Sequence, residues 1–323
     1  MGVEFRNEGV KSNVLGKPMK EPQDVPFEKE GQYLKSDNRS NISYFLEHNV
    51  LLRRFTLSVG ALVNYNSALN EGIHFYPGID ASYRIGDNVR LYGSWNRALR
   101  MPTFTDLYYE GKTNKGNPDL KPEESEAFEV GLKYNTYFLR AHIAGFYRKG
   151  KNMIDWVKEK PEDIWESRNL TKVDNLGFET NLSLLPRELG NERFFIRKIE
   201  LGYAFIHQDK DSEGYISNYA LDYLKHKFTA QLSHSIWKGF SATWYVRWQD
   251  RAGSYTKYEN LKPAYEEPYA PYCLVDMKVN WEYQRLNLYA ELNNLLNSTY
   301  YDLGNIPQPG IWFKAGFRYS FKY

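Results

Sequence analysis

The stretch FSATWYVRWQD, residues 240–250, constrains the fold more than any other part of the chain. Phe240, Ala242, Trp244, Val246 and Trp248 alternate with Ser241, Thr243, Tyr245, Arg247 and Gln249. That two-residue period belongs to a strand with one apolar and one wet face and does not fit a helix. IWFKAGFRYSFKY repeats it: Ile311, Phe313, Ala315, Phe317, Tyr319, Phe321 and Tyr323 stand opposite Lys314, Arg318, Ser320 and Lys322, so a strand over 311–323 is predicted. The same pattern places strands near 2–11, 39–50, 53–66, 73–85, 89–98, 123–134, 137–158, 168–185, 195–208, 225–237, 272–283 and 286–294, making fourteen in all.

The links between these strands are sorted by length. Short links such as LLR, GDN, NT, KG and QR alternate with long ones such as QDKDSEGYISNYALDYL, RAGSYTKYENLKPAYEEPYAP and NSTYYDLGNIPQPG. Short turns at one end and long loops at the other define an antiparallel transmembrane β-barrel wall. A soluble sandwich has no reason to sort its loops this way. An even strand count puts both termini on the short-turn side. Strands of ten residues or more suit the bilayer's apolar band, and Trp237, Trp281, Tyr283 and Tyr323 near strand ends fit interfacial girdles.

Composition agrees. Aromatic residues make up 16% of the chain while mean hydropathy is −0.65, so large apolar groups are interleaved with polar ones. No run approaches the length of a membrane helix. A net charge of +2 from 42 basic and 40 acidic residues draws in no nucleic acid. The single cysteine, Cys273, excludes an internal disulfide framework. MGVEFRNEGV contains no apolar leader, and the reading is that an exported precursor is longer than this chain.

Motifs for catalysis or metal binding are weak. EGKT at 110–113 ends like a phosphate loop, but Asp106 stands where that loop needs glycine. The histidines at 48, 74, 142, 207, 226 and 234 have no zinc spacing, and His226 and His234 read as packing or girdle residues on an apolar face. Asp209, Asp211 and Glu213 before Gly214 imitate half a calcium loop, but Ala220 occupies the position of the bidentate glutamate. No metal and no cofactor is therefore assigned.

SWNRALRMPTFTDLYYEGKTNKGNPDLKPEESEAFEVGLKY, residues 94–134, resembles the central signature of TonB-dependent outer-membrane receptors: Arg-x-Pro-Thr, Asp-Leu-Tyr, then Gly-Asn-Pro-x-Leu-x-Pro-Glu. LYAELNNLLNSTYYD and the closing stretch resemble that family's final strands. The resemblance implies an energised importer with a plug inside a barrel of about 22 strands. Residues 1–323 correspond to the C-terminal portion of such a barrel, without plug domain and without about eight strands. The implied partners are outer-membrane lipid, the missing plug and strands, the TonB energy-coupling complex through that missing part, and a nutrient. Reading the chain as a receptor makes it no enzyme.

On this resemblance Arg100, Pro102, Asn117, Asp119 and Glu123 are structural loop residues. The prolines and the Asn-Pro step hold the loop rigid, and Lys121-Pro122-Glu123 ends it where the next strand begins. Tyr108, Tyr109, Tyr255, Tyr258, Tyr300 and Tyr301 fall in long loops, where rigid rings with a hydroxyl suit recognition. Haem receptors of the family carry a histidine between the Arg-x-Pro and Asn-Pro elements, and residues 101–121 contain none. RMPTFTDLYYEGKTNKGN and NYALDYLKHKF resemble vitamin B12 receptors of Bacteroides-like bacteria, implying cobalamin, with a ferric siderophore as the alternative nutrient. A passive diffusion channel and a membrane-embedded enzyme are the rival classes: the first needs a closed seam and an open lumen, the second a convergent catalytic cluster.

Overall fold

A computed structural model describes the chain apart from residues 29, 69–71, 161, 191–192, 212–213, 218–222, 261, 305 and 322–323, and apart from the side chains of 170, 171, 211, 259, 263 and 303. Tyr323, Lys322, Glu213 and Ala220 thus lie outside the described residues, as does the side chain of Asp211.

Among the described residues seventeen strands form one sheet. Three are short pieces inside long connections, Lys17–Asp24, Asn114–Lys115 and Ile216–Ser217, which leaves fourteen in the wall. These are β1 Gly2–Ser12, β2 Gln32–Leu51, β3 Phe55–Asn66, β4 Ile73–Ile85, β5 Val89–Arg100, β6 Glu123–Asn135 and β7 Leu139–Lys158. The wall continues through β8 Trp165–Leu184, β9 Ile196–Asp211, β10 Leu224–Trp237, β11 Phe240–Arg251, β12 Tyr272–Tyr283, β13 Leu286–Asn293 and β14 Trp312–Tyr319. Each pairs antiparallel with its sequence neighbour. Among the described residues β1 and β14 each have one neighbour within the wall.

Register carries the alternation across the sheet. Leu232 lies opposite Trp244, Trp244 opposite Met277, Met277 opposite Leu292 and Leu292 opposite Phe313, one apolar row crossing five strands. The opposite face pairs polar groups: Glu291 accepts from Lys278 at 2.7 Å and lies 3.4 Å from Lys314. Phe313, Phe317 and Phe321 are more than half exposed, whereas few apolar side chains are fully buried. Such a face is stable when hydrocarbon covers it. At the short-turn end Phe240, Trp281 and Tyr283 stack at 5.9 and 5.8 Å, the girdle expected there. His226 packs 4.9 Å from Phe205 and meets the Tyr203 hydroxyl at 2.8 Å, a packing residue as expected.

The turns explain the short links. Gly239 has φ 85°, and a Cβ there would meet the Glu282 carbonyl oxygen at 2.4 Å, so the two-residue turn from Trp237 to Phe240 requires glycine. The closing strand is shorter than the alternation suggests, spanning Trp312–Tyr319 and not 311–323. Its partner β13 begins at Leu286; Ser320 donates to the Arg285 carbonyl, and Phe321 has no facing residue in that ladder.

Candidate functional site

The long connections hold two side-chain constellations. The first is the segment 101–122 between β5 and β6. Thr103 caps a one-turn helix, α1 Phe104–Tyr108, with Asp106 completing the capping box in both directions. The chain then folds back on this turn: Asn117 N–H donates to the Asp106 carbonyl at 2.9 Å and Gly116 N–H to the Tyr109 carbonyl at 2.6 Å. Glycine is needed at 116, because a Cβ would lie 2.8 Å from Leu107 C and Tyr108 N. Asn117 also accepts from Asp119 N–H at 2.9 Å, the turn that an Asn-Pro step prepares. Leu107 and Leu120 are buried.

Arg100 and Glu123 close the base of this segment. They face each other in register, and the guanidinium donates twice to the carboxylate at 2.6 and 2.5 Å. Glu123 is buried and also accepts from Ile154 N–H at 2.8 Å. On one side the segment is tied to β8: Ser167 donates to the Asp106 carbonyl at 2.6 Å, and Asn169 bonds Lys121 N–H and C=O, each at 2.9 Å. On the other side it is tied to β2. The buried Arg39 donates to the Pro102 carbonyl at 2.6 Å, lies 4.9 Å over the Phe104 ring, and pairs with Glu8 of β1 at 2.5 Å. Tyr108 donates to Asp37 at 2.5 Å. Burial and that bond to the carboxylate hold its phenol well above the ordinary range, so it remains a donor. Residues 101–122 therefore form a strap fastened to the polar face between β2 and β8.

The second constellation joins the two last long loops. The β11–β12 connection contains the hairpin Ser254–Glu259 with Lys262–Pro268, and the β13–β14 connection contains Tyr301–Leu303 with Ile306–Pro307. Tyr255 lies 5.1 Å from Tyr269 and 5.6 Å from Tyr301, and Tyr272 lies 4.6 Å from Tyr300. Tyr272 donates to Asp302 at 2.5 Å, and Gly304 N–H donates to the Tyr269 hydroxyl at 3.1 Å. Lys257 and Tyr255 share Glu267 at 2.7 and 3.1 Å.

The structure thus divides the six loop tyrosines. Tyr255, Tyr300 and Tyr301 form one loop-to-loop cluster, and Tyr108 is fastened to β2. Tyr109 and Tyr258 present the open rings, at 38% and 56% exposure. Sequence reasoning missed Asp37, Arg39, Ser167 and Asn169, whose only local signal is their polar character near strand ends. It also passed over Lys257 and Glu267, whose pairing depends on the hairpin register. Among the described residues no cluster of His, Cys, Asp or Glu has the arrangement of a metal site. The site can offer aromatic faces edged by cations and carboxylates to a large solute.

These features have known counterparts. The family profile "TonB dependent receptor-like, beta-barrel" matches residues 1–295, and the chain belongs to that family of outer-membrane receptor barrels. A vitamin B12 transporter of Vibrio vulnificus is 28% identical over 134 residues, covering 37% of this chain and 21% of the relative. The ferrienterobactin receptor of Escherichia coli is 22% identical over 297 residues, covering 83% of this chain and 38% of the relative. Among solved structures, a mutant ferric enterobactin receptor of Pseudomonas aeruginosa in complex with enterobactin superposes with a TM-score of 0.73 at 19% identity, over 99% of this chain and 51% of that one. The siderophore receptor PirA of Acinetobacter baumannii gives 0.71 at 17% identity, over 99% and 51%. The chain spans about half of these structures and less than two fifths of either curated relative. It is a cell outer-membrane protein with an antiparallel β-barrel wall.

Proposed function

We propose that residues 1–323 supply the C-terminal part of the barrel of an energised receptor that imports cobalamin. The plug, the remaining strands and the contact with the TonB energy-coupling complex belong to other parts of the receptor, which pair with the free edges of β1 and β14. The observation that carries the reading is the strap: a long loop fastened at both sides of the polar face rather than left free, so that the outer surface is preorganised for a ligand. The B12 transporters matched, from Vibrio vulnificus and Photobacterium profundum, support cobalamin. The finer likeness to receptors of Bacteroides-like bacteria rests on RMPTFTDLYYEGKTNKGN and NYALDYLKHKF.

Open aromatic faces at Tyr109 and Tyr258 suit a large, partly apolar corrinoid. The second reading is a ferric siderophore, favoured by the fold similarity to enterobactin and other siderophore receptors. Binding of cyanocobalamin, a ferric siderophore and haem to the full-length receptor decides between them. Tightest binding of cyanocobalamin supports the first reading; tighter binding of either rival rejects it. Alanine at Tyr109 and Tyr258 weakens cobalamin binding by about 2 kcal/mol if either is a central contact, and unchanged affinity removes the site but not the ligand.

A further inference from the structure

Basic side chains stand in direct register on the polar face of the wall. Arg84 lies opposite Arg90, Arg90 opposite Lys133 and Lys133 opposite His142, across β4 to β7. The row continues through Asn181, Gly202 and Thr229 to Arg247 of β11. Arg247 shares its strand face with Thr243, which lies opposite Lys278, so the row belongs to the face of the Lys278–Glu291 pair. Arg84 and Arg90 flank the short turn between Ile85 and Val89, whereas Arg247 lies midway along β11. The row therefore runs from mid-wall to the periplasmic rim.

Like charges directly opposite each other weaken a sheet unless something offsets them. Little in the wall does so here. Arg84, Arg90, Lys133 and Arg140 are exposed, and among the described residues none of them makes an ion pair. Lys133 lies 4.7 Å over the Tyr92 ring instead, and Arg247 lies 6.0 Å over that of Tyr272. Nearby carboxylates have other partners: Glu129 accepts from Tyr92 at 2.7 Å, Glu200 holds Lys198 at 2.8 Å, and Asp276 accepts from Asn294 N–H at 2.7 Å. Glu179 lies 3.8 Å from His142. Asp87, in the turn between Arg84 and Arg90, pairs with neither.

A groove of about 660 Å³ follows this row from β6 to β12. Lys133 and Arg140 line one end and Arg247 the other, and the polar-face residues between them include Asn181, Ser183, Gly202, Thr229 and Gln231. These are small or neutral, whereas closely packed protein interfaces are built around an apolar core. Such a groove suits a hydrated solute better than a packed domain. We propose that the row is an exit site for the anionic group of the imported solute, which Arg247 passes to Lys133 and Arg140 and then to the rim arginines. Rows of Arg and Lys select anions in pores, and a cleft of one sign concentrates counter-ions. The inference rests on the importer reading and concerns the inner wall, not the outer loops.

The test measures energised uptake and surface binding by the full-length receptor, with cyanocobalamin, which carries one phosphate diester, and dicyanocobinamide, which lacks it. Combining Arg84→Gln, Arg90→Gln, Lys133→Gln and Arg140→Gln should slow cyanocobalamin uptake about tenfold. Its surface affinity and the uptake of dicyanocobinamide should stay unchanged. Arg84→Lys with Arg90→Lys, which keeps the charge, should keep the rate. Equal slowing of both solutes, or undiminished cyanocobalamin uptake, overturns the proposal. So does a lowered unfolding temperature of the fourfold variant with both uptakes impaired, which would assign the row to contacts with the rest of the receptor. If the wild type binds a ferric siderophore and no cobalamin, the nutrient reading alone fails. The row is then judged on that anionic complex: slowed uptake at unchanged surface affinity supports it, and an unchanged rate rejects it.

Discussion

Arg39 and Pro102 stand 63 residues apart in the chain, yet the guanidinium of the first donates to the carbonyl of the second at 2.6 Å. This bond fastens the strap to β2, and the same side chain holds Glu8 and covers Phe104. Arg39→Ala leaves the Pro102 carbonyl without its donor, while Glu8 retains Arg6 at 2.7 Å. The expected loss is about 1–3 kcal/mol of stability, with faster proteolysis of residues 110–116. Thermal unfolding in detergent and limited digestion measure both. Wild-type cleavage in the variant would show that Arg39 does not hold the strap.

Gly116→Ala probes the fold-back itself. A methyl group at that position enters the space of Leu107 C and Tyr108 N, both at 2.8 Å, and these are backbone atoms that do not yield as a flexible side chain does. About 1–3 kcal/mol of destabilisation is expected, typical of overpacking. Gly93→Ala, where the nearest atom is at 3.4 Å, is the matched control and should be mild. Equal effects of the two would remove the argument from close approach.

The assignment of faces is tested on β11. Trp244 lies in the apolar row with Leu232 and Met277, whereas Thr243 lies opposite Ser233 and Lys278. Trp244→Arg should cost roughly 2–4 kcal/mol if the residue is near the bilayer midplane and impair insertion, while Thr243→Arg should be tolerated. Folding into vesicles followed by gel mobility reports the difference. Similar tolerance at both positions would contradict the orientation of the wall.

Acid and base should both loosen the hairpin at 254–268. The hydrogen bond from Lys257 holds the Glu267 carboxyl below its ordinary 4.5, and the same bond raises the Lys257 ammonium above 10.5. The carboxylate's contribution is therefore complete above the ordinary glutamate value and lost as pH falls through the lowered one. The ammonium's contribution is complete below the ordinary lysine value and lost as pH rises through the raised one. Hydrogen exchange in the hairpin should stay constant between about pH 5 and 10 and rise outside it, after correction for intrinsic exchange. Lys257→Gln should remove most of this dependence; an unchanged profile would assign it to other groups.

A wall whose strands β1 and β14 each have one neighbour among the described residues is not expected to import on its own, since such edges pair with other strands or aggregate. Reconstitution of residues 1–323 as the sole receptor component should give no accumulation driven by the energy-coupling complex. Coupled uptake by this chain alone would overturn the division of labour proposed here.

Much of the wall is legible in the sequence. Strands over 73–85 and 272–283 coincide with β4 and β12, and β6 begins at Glu123, where Lys121-Pro122 ends the loop. A two-residue period, turn glycines and prolines act over a few residues, so the chain displays them locally. The extra length of β2, which begins at Gln32 and not at 39, escaped that reading because Lys35, Ser36, Asp37 and Asn38 carry no apolar alternation.

The sequence by itself determined which residues face lipid and which loops are long. Tertiary structure alone decided what those loops do. Tyr255 meets Tyr301, Lys257 meets Glu267, and Arg39 meets Pro102 through pairings across strands or between separate loops. Period specifies the face of a single strand; which residues become neighbours depends on the relative shift of several strands, and that shift is settled by the hydrogen-bonded ladder as a whole.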